Sequence, residues 1–159
     1  MKFNFYFIHG WGFDKTFWQP VCKKIQENGF SRITKILDLG FFSKDLLNYD
    51  IKKINSNSIF IVHSYGLNWL LKNKIECSAI INFFGVPSFL SFQKNPHVTR
   101  KIINKMVENF TFNSTKVLND FYKRCNVKQE IKKEVNIGNC LKSLKQLQNE
   151  NQIINFNNL

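Results

Sequence analysis

The hydrophobic positions of the first 85 residues fall into short runs that predict four β-strands. These runs cover residues 2–8, 33–39, 59–62 and 78–84. Continuous runs of β-branched and aromatic residues are typical of strands buried on both faces of a parallel sheet. Helical patterns cover residues 16–28 and the stretch from Gly66 onward, whereas 40–49 favours a loop or short helix and 50–57 a polar connection. This alternation predicts parallel βαβ units and therefore the α/β class.

The pattern changes after Pro87. Residues 96–148 show no strand periodicity, and their apolar residues recur at helical spacing. One such stripe contains Val98, Ile102, Met106 and Phe110, and another contains Val117, Leu118, Phe121 and Tyr122. We therefore predict three or four amphipathic helices. The Asn-rich tail over 149–159 either begins another connection or frays.

The composition favours a single globular domain that lies in the cytoplasm. The chain has 159 residues, of which 43% are hydrophobic, so it is long enough to bury a substantial core. Its four cysteines are scattered without the spacing of a metal site or disulfide framework, which indicates reduced thiols. The apolar stretch 1–8 is too short for the core of a signal peptide. No stretch reaches membrane-spanning length, so we predict no membrane partner.

The net charge of +12 raises the question of an acidic partner. Nucleic acid is one such partner. However, the lysines are spread along the chain, and Asn, Ile and Phe are abundant as well, as expected from an AT-rich coding bias. We therefore predict no nucleic-acid partner.

The most informative stretch is a Ser placed between a predicted strand and a predicted helix. Ser64 follows the run 59–62, and Gly66 opens the helical stripe. The arrangement resembles the nucleophile elbow of α/β-hydrolases, in which a tight turn presents the Ser hydroxyl above the sheet. The usual pattern is small-x-Ser-x-small, and here Val62 occupies the first small position, where a branched side chain should crowd the turn. A solvated Ser, or one that caps the helix, is the alternative interpretation of a lone Ser-x-Gly.

A second motif follows the first predicted strand directly. Residues 9–14 read His-Gly-Trp-Gly-Phe-Asp. Its glycines allow the backbone to turn back and expose an N–H toward a nucleophile. α/β-Hydrolases place half of their oxyanion-binding site at this position. We expect His9 to be a packed structural residue rather than a catalyst.

Together, the two motifs and the helical region after the fourth strand resemble α/β-hydrolases with a helical cap. More narrowly, the chain is similar to the pimeloyl-[acyl carrier protein] methyl ester esterases of biotin synthesis, which share an HGWG turn, a Ser-x-Gly elbow and a cap. The segment 117–125 resembles a cap helix of such proteins. The resemblance implies an α/β-hydrolase fold with an incomplete parallel sheet over 1–87, a cap over 88–150, and a tail or the start of another core segment over 151–159.

The resemblance also implies a serine esterase mechanism without metal or cofactor. Ser64 would attack the ester carbonyl, and the N–H groups of Trp11 and Tyr65 would bind the oxyanion. The resemblance places further residues in the turns, the substrate pocket and the cap: His9, Gly10, Gly12, Gly66, Arg100 and Arg124. Acyl carrier proteins are strongly acidic, so Arg100 and Arg124, with Lys101, Lys105 and Lys123, would steer an acyl carrier toward Ser64.

The catalytic His and Asp of this family follow the cap. Beyond Ser64 the sequence has only His97, which we expect at a helix start on the surface, and Asp120, which we expect on a solvated helix face. We therefore expect the chain to be the N-terminal portion of a hydrolase, from an incomplete gene, a frameshift or natural shortening. A sheet ending here would expose an apolar edge.

Two alternatives stay open from the sequence. The first is another small-ester hydrolase or a thioesterase on the same scaffold. The second is a hydrolase-like binding module without catalysis, which the missing acid and base favour.

Overall fold

Four parallel strands form the centre of the fold. The computed structural model describes residues 4–29, 34–42, 51, 54, 56–131 and 134–157. Within them the strands are β1 (Asn4–Ile8), β2 (Thr34–Leu37), β3 (Ser58–His63) and β4 (Ala79–Phe83), in the sheet order β2-β1-β3-β4. All three neighbouring pairs are parallel, so the predicted α/β class and parallel sheet are confirmed. The predicted connection over 40–49 lies largely outside the described residues.

The register of the sheet brings three strand ends together. Ile8 of β1 pairs with Val62 of β3, and His63 at the end of β3 pairs with Phe83 of β4. The residues that leave these strands therefore meet at one edge of the sheet, because parallel strands all point the same way. Ligand sites in open α/β sheets lie at this carboxyl edge.

Helices cover both faces of the sheet. They are a 3₁₀ helix (Lys15–Trp18), α1 (Gln19–Glu27), α2 (Tyr65–Lys72), α3 (Pro96–Phe112), α4 (Ser114–Arg124), α5 (Ile137–Asn149) and α6 (Ile153–Asn157). The helix predicted over 16–28 is thus divided. The carboxylate of Asp14 accepts a hydrogen bond from the Thr16 N–H and caps the 3₁₀ helix, and Pro20 stands in the first turn of α1.

The core is split by the sheet. Because successive side chains of a strand face opposite ways, Phe7 and Ile61 pack with Trp18 and Cys22 beside α1. The larger cluster lies on the other face and joins Ile8, Phe60 and Val62 to α2 and to the helices that follow. The helices from α3 to α5, which we call the helical segment, therefore share one core with the sheet.

The helical segment matches its predicted helices, but one buried stripe is shifted. Val117, Leu118 and Tyr122 of α4 are buried as predicted. In α3, however, Val98 is 55% exposed and Ile102 is 40% exposed, whereas Ile103 and Phe110 are buried. The helix thus turns a face next to the predicted one toward the core.

The last two parts of the described fold are the edge of the sheet and the C-terminal tail. β2 and β4 are the edge strands of the described sheet, and on β4 Ile81 and Phe83 are nearly half exposed. The tail does not fray over its described part, because the Gln152 N–H donates to the Pro87 carbonyl and α6 begins directly after. Over the described ranges, no helix combines the length and apolarity needed to cross a bilayer.

Candidate active site

Ser64 occupies a sharp turn between β3 and α2. Its backbone has φ 49° and ψ −118°, a conformation that residues with a side chain rarely adopt. The side chain makes no capping hydrogen bond to α2, so the interpretation of Ser64 as a helix cap is wrong. Instead the Ser64 N–H donates to the Phe83 carbonyl at 2.9 Å, which ties the turn to β4. The strain is of a kind that clusters at functional sites.

Gly66 allows α2 to start directly against β1. A Cβ atom at this position would lie 2.9 Å from the Ile8 carbonyl oxygen and 3.1 Å from that of His9. Both contacts are with backbone, which cannot swing away as a side chain can. The second small position of the motif is therefore required by packing.

Val62 does not have the disruptive effect expected from its branched side chain. It is fully buried, and it keeps its register with Ile8 on one side and Asn82 on the other. The strand continues regularly to His63 before the turn. The elbow therefore forms with a branched residue at its first small position.

The His-Gly-Trp-Gly turn lies against the elbow, as the resemblance to α/β-hydrolases implies. A Cβ at Gly10 would be 2.7 Å from His63 Nδ1 and 3.2 Å from Ser64 Cβ. Trp11 is buried, and its indole Nε1–H donates to the Cys140 carbonyl at 3.0 Å, which anchors the turn to α5. The position of Gly10 places the loop that follows β1 beside Ser64.

Gly12 joins the same turn to α4. It has φ 72°, and a Cβ there would approach Leu118 Cδ2 to 3.1 Å. The Tyr122 hydroxyl donates to the Gly12 carbonyl. Burial raises the pKa of this hydroxyl, so it remains a donor at neutral pH. Two glycines of the motif thus make contacts on opposite sides, one with the elbow and one with the helical segment.

His9 is a packed residue with no exposed surface. Its Nε2 accepts a hydrogen bond from the Leu39 N–H at 2.9 Å, and its Nδ1 lies 3.0 Å from the Gly10 carbonyl. These contacts fit a neutral ring that carries its proton on Nδ1. Nε2 is also 3.4 Å from Asp38 Oδ1, so the ring contacts the residue that follows β2. With both nitrogens engaged, His9 holds the loops after β1 and β2 together.

Asp38 was not singled out by sequence reasoning. Burial disfavours its ionised form, but contacts with His9 and with the N–H groups of Gly40 and Lys15 outweigh this effect and lower its pKa to about 2. Asp38 is therefore a charged residue that organises backbone N–H groups at the end of β2. Its position directly after a strand was the one signal in the sequence.

His63 was likewise missed as a site residue, although it precedes Ser64. Its ring stacks on Phe17 with centroids 4.5 Å apart, and the edges of Phe13 and Phe84 approach it at 5.8 and 6.4 Å. Burial, and to a smaller extent the nearby His9, lower its pKa to about 4. The ring is therefore neutral at pH 7. Its Nδ1 is buried and has no hydrogen-bond partner in the described part of the chain.

Tyr65 contributes a backbone group and a buried side chain. As the first residue of α2, it has an N–H for which the helix provides no carbonyl. Its ring is buried, and its hydroxyl donates to the Gln146 side chain, so it connects the elbow to α5. An N–H beside Ser64 that has no acceptor within its own helix is what an oxyanion-binding site requires.

The predicted cationic residues Arg100 and Arg124 lie on helices α3 and α4. Arg100 is exposed near the start of α3, and Arg124 is exposed at the end of α4. Arg124 borders a groove of about 320 Å³ between these helices. His97 and Asp120 are exposed on the same two helices, as expected from the sequence. Over the described residues, no group of three His, Cys, Asp or Glu side chains is placed to hold a metal ion.

Comparisons with known proteins agree with the coarse interpretation. No protein-family model matches the chain. Two curated proteins named pimeloyl-[acyl-carrier protein] methyl ester esterase, from Legionella pneumophila strains Corby and Paris, are each 24% identical to it over 123 residues, which is 72% of this chain. This distant similarity points toward the esterases. The chain spans about half the length of these relatives, since the match covers 51% of each.

Proposed function

We propose that this chain carries the nucleophile and the oxyanion-binding groups of a serine carboxylic-ester hydrolase. The observation that carries the proposal is the conformation of Ser64, a strained residue at the carboxyl edge of a parallel sheet with the Gly10 turn packed against it. The combination of φ 49° with ψ −118° lies outside the left-handed helical region that other residues with positive φ commonly adopt. Such strain persists only where its surroundings impose it, and it is commonly part of a mechanism.

In this mechanism Ser64 Oγ attacks the carbonyl carbon of an ester. Electrons move onto the carbonyl oxygen, and the N–H groups of Trp11 and Tyr65 donate to the resulting oxyanion. Loss of one such donor typically slows the reaction about 100- to 1000-fold. The Ser64 proton passes to a His base that an Asp orients, and then to the leaving alcohol. His9 does not serve as this base, because both of its ring nitrogens are engaged by backbone groups.

The substrate class follows from the similarity to the Legionella proteins. Their name describes esterases that act on the methyl ester of a pimeloyl group held by an acyl carrier protein. We assign the same kind of substrate to this chain, in biotin synthesis, with the helical segment acting as the cap over Ser64. Contacts of Gly12 with Leu118 and of Trp11 with Cys140 support this assignment, because they join the segment to the turn beside the nucleophile.

An acidic acyl carrier is the partner that fits the charge of this cap. Helices α3 and α4 carry six Lys or Arg residues and two acidic ones. The groove between them combines an apolar floor with cations at its border, among them Lys105, Lys116 and Arg124. Complementary charges mainly accelerate association and are screened by salt. Charge reversal at Arg100 and Arg124 should weaken carrier binding at low salt, and unchanged binding would remove this part of the proposal.

A fluorophosphonate probe tests the nucleophile directly. Its phosphorus is attacked by an activated Ser, so the intact chain should be labelled at Ser64, and mass spectrometry of the peptides identifies the residue. S64A should abolish labelling, whereas the control S114A, at the start of α4, should label normally. If Ser64 in the folded chain is labelled no faster than in heat-denatured protein, Ser64 is not an activated nucleophile. Short and long acyl esters and thioesters, free and carrier-bound, then separate methyl ester esterases from other esterases and thioesterases.

A non-catalytic binding module is the second candidate. The observation that favours it is the arrangement of the three histidines. His9 is engaged by backbone, the His63 ring stacks on Phe17, and His97 is exposed in the first turn of α3. An oxyanion-binding site by itself leaves a small residual rate. Absence of labelling together with measurable binding of a carrier-bound acyl ester would favour this candidate.

A further inference from the structure

Phe84 is the one aromatic residue in the described part of the chain with a positive φ. It follows β4 directly, has φ 60°, and is 87% exposed. A bulky residue in the left-handed region is a genuine outlier. Exposure of a large aromatic ring to water adds a second cost. Burial of the ring in the described fold therefore does not explain why Phe occupies this position.

The conformation of Phe84 is imposed by a clamp on either side of it. The Asn82 side chain accepts a hydrogen bond from the Gly85 N–H at 3.0 Å and donates to the Gly85 carbonyl at 2.9 Å. A Cβ at Gly85 would lie 2.6 Å from Leu67 Cβ and 2.9 Å from the Ser64 carbonyl oxygen. The turn is thus pressed against the elbow, and its two ends are fixed while Phe84 projects from the middle.

This turn places the Phe84 ring on the Ser64 side of the sheet edge. The preceding carbonyl, that of Phe83, accepts the Ser64 N–H, so the two turns are directly bonded. The centroid of the Phe84 ring is 6.4 Å from that of His63, and Phe17 stacks on His63. These three rings, Phe17, His63 and Phe84, which we call the aromatic wall, form an aromatic side of the site next to Ser64.

We propose that Phe84 is a specificity-determining residue that contacts the hydrocarbon chain of the acyl group attached at Ser64. The inference rests on the proposed function, because it requires Ser64 to react with the acyl carbonyl. An apolar chain leaving that carbonyl gains most by lying against an exposed ring, and the clamp holds the ring in place before substrate arrives. A polar or very short acyl group gains nothing from it.

The test compares phosphonate probes that differ only in alkyl length. Ethyl and octyl fluorophosphonates react with Ser64 at rates whose ratio measures the preference for a hydrocarbon chain. F84A should reduce the octyl-to-ethyl ratio about tenfold, the lower end of the 10- to 200-fold effect of one methylene in a hydrophobic pocket, because the Phe84 ring contacts the chain from one side only. The matched control is F112A, because Phe112 is 88% exposed at the end of α3 and is not part of the aromatic wall. An unchanged ratio in F84A, or an equal fall in F112A, overturns the proposal.

A glycine variant separates specificity from folding. Gly adopts a positive φ without strain, so F84G should raise the melting temperature by about 2–4 °C while it also lowers the octyl preference. A lower melting temperature together with an unchanged ratio would show that Phe84 serves packing alone.

Contact between Phe84 and a hydrocarbon chain can be tested even if Ser64 is not labelled. In that case the proposed function fails, and calorimetry measures equilibrium binding of methyl octanoate and methyl acetate to S64A and to the S64A/F84A double variant. About tenfold weaker binding of methyl octanoate alone in the double variant supports the contact with Phe84. Equal affinities of the two variants refute it.

Discussion

The clearest prediction concerns Gly66, the second residue of α2. In G66A the new methyl group would meet the Ile8 carbonyl oxygen at 2.9 Å, closer than real Cβ contacts allow. Ile8 belongs to β1, which is paired on both sides, by β2 and β3. Neither the strand nor the start of the helix can move without loss of sheet hydrogen bonds or of the turn at Ser64.

Two opposing effects decide the size of the change. Ala favours a helix over Gly by at most about 1 kcal/mol. Forcing an additional methyl group into a closely packed site costs about 1–3 kcal/mol. The steric cost exceeds the gain, so G66A should lower the free energy of unfolding by about 1–2 kcal/mol.

The matched control is Gly138, which is the second residue of α5. A Cβ there would have its nearest neighbour, Asn136 Oδ1, at 3.8 Å, an ordinary contact. G138A should therefore raise the stability by up to about 1 kcal/mol. Urea unfolding followed by circular dichroism measures both variants. If G66A is as stable as the wild type, or shifts in the same direction as G138A, the close approach of α2 to β1 does not limit this position.

Three further changes test other parts of the site. The folded pKa of His63 is about 4, below its ordinary 6.5, so the free energy of unfolding should fall as the pH is lowered from 6.5 to 4. Because water reaches part of the ring, we expect this decrease to be about 1–2 kcal/mol. In H63N this contribution to the pH dependence should be absent. Asp38 has a folded pKa of about 2, below its ordinary 3.8. D38N should therefore lower the free energy of unfolding by about 1–2 kcal/mol at pH 7. This difference between D38N and the wild type should disappear as the pH is lowered from 3.8 to 2. W11F removes the donor to the buried Cys140 carbonyl and should cost about 1–3 kcal/mol in urea unfolding, whereas an unchanged midpoint would show that water replaces this bond.

Features that depend on local patterns were predictable from the sequence. The four strands lie within or close to their predicted runs, because a buried parallel strand needs a continuous apolar stretch. Ser64 was located between a strand and a helix for the same reason. The proximity of Gly10 to the elbow was implied by the resemblance to α/β-hydrolases, and it arises because β1 and β3 are neighbouring parallel strands whose loops leave from the same edge.

Features that depend on tertiary packing were not predictable. In α3 both Ile102 and Ile103 are apolar, and only the docking of the helix decides that Ile103 is buried. The lowered pKa of His63 arises from residues far apart in the sequence, among them Phe17. Phe84 has no local signal at all, because Phe is a poor residue for a positive φ and its conformation comes from the Asn82 clamp.

Three glycines, Gly10, Gly66 and Gly85, pack closely at the turn that contains Ser64, and their packing limits the open space around this residue. Added Cβ atoms would approach their neighbours to 2.7 Å at Gly10, 2.9 Å at Gly66 and 2.5 Å at Gly85, so none of these approaches leaves room for a side chain. Together they hold Ser64 in a conformation that would otherwise cost about 1–3 kcal/mol. Under the proposed function, the protein itself fills these glycine sides, and an acyl chain bound at Ser64 would extend along the aromatic wall. If both proposals hold, the same close packing fixes the Ser64 conformation and directs the acyl chain toward Phe84.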